Sequence, residues 1–263
     1  MKILAVETAT AWQSVAILEG ERVLARSDRD AEGSHARWLV PTIDRLLASA
    51  HLDLGQLDGL AVSIGPGSFT GLRVGLATML GFRAVTGLPL AVVPTLEALA
   101  WNLRGAALPI CPILKSRAGE VYGALDRWSV EGALRQLAAE RVGPPTLIGQ
   151  DLTEPTLVLG DGWLRYAVGI REALADRASL LCEGPAEAMR PSAVSIGLAG
   201  LERLSHGDVA GLGVAPRYVQ RAEAEIEYER RPAGSGTKTQ RVIQQGIGRK
   251  RIRRPIVSIL RPS

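Results

Sequence analysis

The sequence predicts an α/β protein built from two related lobes and followed by a basic C-terminal extension. Three observations indicate this: strand–turn–strand hairpins open both halves, near residues 2 and 110, and the first half reads β-β-β-α-β-α-β. The third is that acidic residues stop at Glu229 while basic residues continue. A chain of 263 residues, 46% of them hydrophobic, is long enough to bury a sizeable core.

The first half contains five apolar runs that are typical of strands and two segments with helical periodicity. We predict strands at 2–8, 14–18, 22–25, 60–64 and 90–93, and helices at 35–50 and 72–85. The first three strands are joined so tightly that they must be antiparallel neighbours. Ser34 is the predicted cap of the first helix, and Pro41 is expected to kink it.

The second half repeats part of this pattern. We predict strands at 110–114, 121–125 and 157–160 and a last helix between Ser192 and Gly207, and we interpret Asp161 as a turn residue. The order is typical of a duplicated ribonuclease-H-like fold, the actin-like (ASKHA) architecture. We predict lobes at 1–105 and 106–190, a closing segment at 191–229 that packs back on them, and a basic tail at 230–263.

The most informative segment is the glycine-rich stretch at 60–82, LAVSIGPGSFTGLRVGLATMLGF. A strand, a Gly-Pro-Gly turn and a helix start are typical of a phosphate cradle, because free N–H groups and the helix dipole point at one place. Ser68 and Thr70 supply candidate caps. A structural turn that feeds a packed helix is the alternative, and both interpretations stay open. Glycines inside the helix predict close approach of another helix, because each costs ~1 kcal/mol relative to alanine.

Composition excludes some classes of protein and leaves one question open. No uncharged apolar run is long enough for a membrane span, the N-terminus is typical of a first strand, and the two cysteines favour a reduced, cytoplasmic protein.

Ten basic residues and no acidic one follow Glu229; subtracting them from the net charge of +4 leaves −6 for residues 1–229. This tail either contacts the phosphates of RNA or is a solvated appendage, including the product of an altered reading frame.

Five segments resemble the bacterial TsaB family in order and spacing, over roughly residues 1–225. They are ILAVETAT (3–10), SIGPGSFTGLRVGLATMLG (63–81), VVPTLEALA (92–100), RAGEVYGAL (117–125) and PRYVQRAEAE (216–225). The resemblance implies an actin-like subunit of the machinery that makes N6-threonylcarbamoyladenosine in tRNA. It also implies that the chain is a degenerate relative of its partner, the catalytic subunit TsaD.

The resemblance further implies a non-catalytic scaffold that binds a TsaD-like subunit, recruits a TsaE-like ATPase and reaches tRNA through the complex, with no membrane contact. No cofactor of its own is expected, because ATP and metal belong to the partner subunits. Helices 35–50 and 72–85 are the implied docking face, used for a homodimer when the chain is alone. Its candidate residues are Trp38, Leu39, Thr42, Arg45, Leu46, Gly71, Leu72, Gly75, Thr78, Met79 and Phe82.

The residues themselves argue against catalysis. TsaD proteins carry an HxxxH metal-binding pair whose positions fall here at Thr95 and Leu99, and the three histidines are scattered. Many TsaB sequences read DAR in the second hairpin where this chain has Lys115-Ser116-Arg117. No catalytic or metal-ligating residue is therefore predicted. Candidate residues near a phosphate or nucleotide are Glu7, Thr8, Gly65, Gly67, Ser68, Thr70, Lys115 and Arg117.

Two other functions are compatible with the sequence. The first is an enzyme of the actin-like superfamily, either a small-molecule kinase or a metallopeptidase, in which Arg117, Glu120 and Tyr122 are further candidates by position. The second is an RNA-binding module centred on the basic tail, although the tail lacks the aromatic residues that stack on bases.

Overall fold

The computed structural model describes residues 1–218 except Glu32 and Ala118. The described residues form one compact unit. The predictions about residues 219–263, including the basic tail and the end of the PRYVQRAEAE segment, lie outside the described residues.

Two five-stranded sheets have the same internal order. The first sheet runs β3-β2-β1-β4-β5 and the second β10-β9-β6-β7-β8, which is the same arrangement read from the other end. In each sheet the three strands that come first in the chain are paired antiparallel, and the two later strands pair in parallel at one side of them. The strands are β1 (Lys2–Glu7), β2 (Trp12–Glu19), β3 (Arg22–Asp30), β4 (Gly59–Ser63), β5 (Leu90–Val93), β6 (Ile110–Lys115), β7 (Val121–Trp128), β8 (Leu134–Gly143), β9 (Thr156–Leu159) and β10 (Leu181–Glu183).

This repeated order confirms the predicted duplicated actin-like fold. All eight predicted strands are present; β2, β3 and β7 are longer than predicted, and β1 ends one residue earlier. The helices are α1 (His35–Ser49), α2 (Phe69–Thr86), α3 (Thr95–Trp101), α4 (Asp161–Leu174) and α5 (Ala193–Ser205).

Helix ends follow the predicted capping residues in part. The Ser68 hydroxyl accepts a hydrogen bond from the Gly71 N–H, so α2 begins at Phe69 rather than Leu72, and Thr70 lies exposed in the first turn. Ser192 caps α5 by accepting from the Val194 N–H, and Gly207 takes a positive φ directly after the helix. Helix α1 runs through Pro41 without ending there.

Two hydrophobic clusters cover the two faces of the first sheet. Alternating residues of β1 make this division, because Leu4 and Val6 face α1 and α2 while Ile3 and Ala5 face α5. Helix α5 comes late in the chain and yet packs on the first sheet. It approaches closely because it carries Gly197, where a Cβ would lie 2.5 Å from Leu18, and Gly200, where a Cβ would lie 2.6 Å from Ala61.

The turn before α4 corrects our interpretation of Asp161. The residue is the first of a 14-residue helix, and its Oδ1 accepts a hydrogen bond from the Lys115 N–H at 2.8 Å. Gly160 and Gly162 are required beside it, because a Cβ at either position would overlap the backbone at Ile113 or Leu114. Helix α4 is therefore held against β6, as α2 is held against the end of β1.

Candidate functional site

The glycine-rich turn after β4 packs against the protein's own backbone. The Ser68 N–H donates to the Ala9 carbonyl at 2.6 Å, and the Thr8 hydroxyl donates to the Gly71 carbonyl at 2.9 Å. A Cβ at Gly67 would overlap the Ala9 carbonyl oxygen. The turn is therefore fitted to the segment that follows β1, residues 8–9.

The C-terminal segment 208–218 covers the other side of this turn. The Arg217 N–H donates to the Ile64 carbonyl at 2.7 Å, and a Cβ at Gly65 would lie 2.7 Å from the Arg217 carbonyl oxygen. Tyr218 stacks on Phe69 with ring centroids 4.8 Å apart, and its hydroxyl accepts from Arg73 Nε at 2.9 Å. These contacts give the turn a structural role, because both of its glycines and the Ser68 N–H are used in packing against neighbouring backbone.

Glu7 lies at the end of β1 and is completely buried. Its Oε1 accepts the Ala9 N–H, while Oε2 makes no hydrogen bond of normal geometry within the described residues. Burial raises the pKa of Glu7 to about 7, although the Ala9 N–H and the nearby Ser63 hydroxyl favour the charged form. A carboxyl group enclosed in this way is poorly placed to bind a solvated metal–phosphate complex.

The other two candidates near a phosphate lie in the second lobe. Lys115 is exposed at the end of β6, and its backbone N–H is bonded to Asp161. Arg117 Nε forms an ion pair with Glu120 at 2.7 Å. The structure thus brings Glu7, Thr8, Gly65, Gly67 and Ser68 together around one turn, with Thr70 exposed beside it, and places the two cationic candidates on a separate hairpin.

The candidate docking residues divide into two groups. Seven of them are buried inside the protomer: Leu39, Thr42, Leu46, Gly71, Leu72, Gly75 and Met79. The remaining four are half-buried or exposed: Trp38, Arg45, Thr78 and Phe82. The prediction that Gly71 and Gly75 let a second helix approach is wrong, because both glycines make room for Thr8.

Gly81 belongs to the glycine-rich stretch 60–82 but is not among the predicted docking residues. A Cβ at this position of α2 would meet no atom within 4 Å, so no contact within the part of the chain that the structure describes accounts for the glycine. It lies between Ala77 and Val85 on the exposed face, and Val85 is 87% exposed. Helix α1 packs beside α2 and adds Val40, which is 50% exposed. We call this surface, Val40, Ala77, Gly81, Ala84 and Val85, the outer face of α1 and α2.

Glu97 lies in the first turn of α3 and also pairs with a residue of α5. Both of its carboxylate oxygens accept hydrogen bonds from Arg203 of α5, each at 2.7 Å. This bidentate ion pair connects α3 to α5. Within the described residues no group of three or more His, Cys, Asp or Glu side chains is placed to hold a metal ion. None of the described helices is long and apolar enough to cross a bilayer.

Fold and site together define a two-lobed actin-like protein whose glycine-rich turn packs against its own backbone and whose helix α2 has an exposed face among the described residues. Comparison with known proteins identifies the kind of actin-like protein. The sequence model of the TsaD family, described as tRNA N6-adenosine threonylcarbamoyltransferase, matches residues 28–146.

The tRNA threonylcarbamoyladenosine biosynthesis protein TsaB of Escherichia coli is 31% identical over 169 residues, which are 62% of this chain and 72% of that protein. TsaB of Haemophilus influenzae is 28% identical over 88% of this chain and 98% of its own length. The structure of YeaZ from Pseudomonas aeruginosa has the same fold, with a TM-score of 0.67 and 24% identity over 83% of this chain and 99% of that one. The chain belongs to the TsaB family.

Proposed function

We propose that this chain is a non-catalytic subunit in the biosynthesis of threonylcarbamoyladenosine in tRNA, and that it binds a TsaD-like catalytic subunit through the outer face of α1 and α2. The names of its relatives support the pathway. The match to the TsaD family over residues 28–146 supports a partner of related fold, since a duplicated family commonly pairs through equivalent surfaces.

The observation that carries the proposed docking face is Gly81 within the segment that matches the TsaD family, 28–146; the comparable exposed glycine of α4, Gly169, lies outside that segment. A glycine in an exposed helix interior costs ~1 kcal/mol relative to alanine, and at Gly81 no contact among the described residues compensates for it. Its neighbours on the face are small or apolar: Ala77, Thr78, Ala84 and Val85. A partner helix that crosses at Gly81 would approach closely and bury Val85, and this accounts for both features.

The absence of catalysis in this subunit is supported by the state of Glu7 and by Lys115. Glu7 is enclosed at the end of β1, and the second hairpin offers a cation where the family pattern has a carboxylate. A cation cannot help to hold Mg²⁺. We infer that ATP, metal and the transfer chemistry belong to the partner subunits, a TsaD-like transferase and a TsaE-like ATPase.

Docking would act on the partner by differential binding. A scaffold that binds the active arrangement of a TsaD-like subunit more tightly than its inactive arrangement shifts the population toward activity without any chemistry of its own. In the absence of that subunit, the same face would pair with a second copy of this chain.

Gly81→Trp is expected to weaken the complex with a TsaD-like subunit by at least about 100-fold, because the indole would occupy the space of the partner helix. Thermal unfolding should be almost unchanged, since Gly81 is exposed and a Cβ there has no atom of the described residues within 4 Å. Binding is measured by calorimetry with the purified subunits, and tRNA modification by the reconstituted system should fall in parallel.

Gly169→Trp is the matched control. Gly169 lies in the interior of α4, is exposed, and has no atom within 4 Å of a Cβ, so the chemical change is the same on a different surface. It should leave binding and modification unchanged. Equal affinities for the two variants would place docking elsewhere. If the reconstituted system modifies tRNA equally well without the wild-type chain, the proposed function itself is contradicted.

A further inference from the structure

A cavity lies between α3, β7, β8 and the C-terminal end of α5, and its wall includes Arg217, whose N–H bonds the Ile64 carbonyl before the glycine-rich turn. Its volume is about 460 Å³, within the range of small-molecule sites. Acidic groups outnumber basic ones in its wall. The acidic residues are Glu97, Asp126, Glu140, Glu202 and Asp208, and the basic ones are Arg203, His206 and Arg217.

Both arginines of the wall are already paired. Arg203 makes the two 2.7 Å hydrogen bonds to Glu97 and lies 3.6 Å from Asp208. Arg217 Nη1 lies 3.3 Å from Glu140 Oε2. Among the described residues, the two guanidinium groups of the cavity are thus used on Glu97, Asp208 and one oxygen of Glu140, and neither pairs with Asp126.

Asp126 is the acidic group that is left over. The residue is 6% exposed and lines the cavity, and among the described residues its carboxylate has no hydrogen-bond or ion-pair partner. On the neighbouring strand, the side chain of Glu140 is 5% exposed, and its Oε1 is buried without a partner among those residues, while its Oε2 faces Arg217. A buried carboxylate oxygen without a donor is costly, so Glu140 Oε1 indicates a missing donor in the cavity, and the unpaired Asp126 carboxylate favours a cationic one.

The electrostatic setting agrees with this geometry. Burial, together with the neighbouring Glu97 and Glu140 carboxylates, raises the pKa of Asp126 to about 7. A positive charge placed in the cavity would relieve that repulsion. Trp101 lines the same cavity and adds an aromatic wall, which cations also favour.

We propose that this cavity binds a small organic cation, an alkylguanidinium or alkylammonium, whose charged end pairs with Asp126 and Glu140. A guanidinium fits best, because its planar donors can pair with two carboxylates at once. A divalent metal is the weaker candidate, since among the described residues no three ligating side chains are grouped for one. The proposal is independent of the docking face of α1 and α2.

Butylguanidinium and its neutral isostere butylurea test this with the full-length chain at pH 8 and low salt. Butylguanidinium should bind saturably, as followed by NMR shifts of residues around the cavity and by calorimetry, while butylurea should not bind. Asp126→Asn is expected to lower the affinity for butylguanidinium about tenfold or more. Asp44→Asn on the exposed side of α1 makes the same charge change outside the cavity and should leave the affinity unchanged.

Circular dichroism shows whether each variant is folded. Should Asp126→Asn not fold, Glu140→Gln takes its place with the same expected loss. The proposal is overturned by an absence of saturable binding to the wild-type chain, by equal binding of butylurea, or by equal losses in the cavity variant and Asp44→Asn.

Discussion

Gly71→Ala is expected to lower the free energy of unfolding by about 3 kcal/mol or more, which is a large fraction of the stability of an ordinary domain. A Cβ at Gly71 would overlap the carbonyl oxygen of Thr8, a backbone atom that cannot rotate away. Helix α2 would have to move off the end of β1, and the hydrogen bond from the Thr8 hydroxyl to the Gly71 carbonyl would be lost. Urea denaturation followed by circular dichroism measures the change.

Gly81→Ala in the same helix should change stability in the opposite direction. Its added methyl group meets open space, so the variant should gain up to ~1 kcal/mol from helix propensity alone. The pair separates a steric effect from a propensity effect, because both substitutions are glycine to alanine inside α2. A Gly71→Ala protein as stable as Gly81→Ala would show that α2 does not contact Thr8.

Glu7→Gln is expected to stabilise the protein by about 3 kcal/mol at pH 8 and to have little effect at pH 4. The pKa of Glu7 is raised by burial from 4.5 to about 7, so the unfolded chain ionises first as the pH rises. The wild-type protein should therefore lose stability between pH 4.5 and 7 and keep that deficit above pH 7. A glutamine stays neutral throughout, and its amide oxygen can still accept the Ala9 N–H.

Urea denaturation of both proteins across this pH range measures the effect. Glu172→Gln on the exposed side of α4 provides the control, since it removes the same charge from a solvated position and should change stability little at any pH. A constant difference between wild type and Glu7→Gln from pH 4 to pH 8 would contradict a buried carboxyl that is protonated near neutrality.

The first lobe could be predicted almost completely from the sequence, because its elements are long and strongly periodic. Every strand of the first sheet and both of its large helices appear where the apolar pattern indicates them. The second lobe was predicted only in part. Strand β8 is an exposed edge strand rich in polar residues, and α4 begins at Asp161 between two glycines, so neither carries a strong local pattern.

The site was harder to predict, because burial is not a local property. Helical periodicity placed Gly71, Gly75 and Met79 on a stripe, but it could not show that the stripe faces Thr8 and the protomer's own core. Asp126 gave one usable signal, a single acid inside the apolar strand VYGALDRW. The carboxylates that repel it, Glu97 and Glu140, come from α3 and β8. These elements are far apart in the chain, and no spacing rule connects them.

The sequence by itself determined the α/β class, the duplicated strand order and the family, since these depend on residue patterns that repeat along the chain. Only the tertiary structure decided which face of each helix is covered, which carboxylates are left without partners and what fills the glycine-rich turn. The physical reason is that these properties depend on which distant segments come into contact. Gly71 is sterically required, because a Cβ there would overlap Thr8. Gly81 of the same helix faces solvent, and its low helix propensity is not compensated by a contact among the described residues.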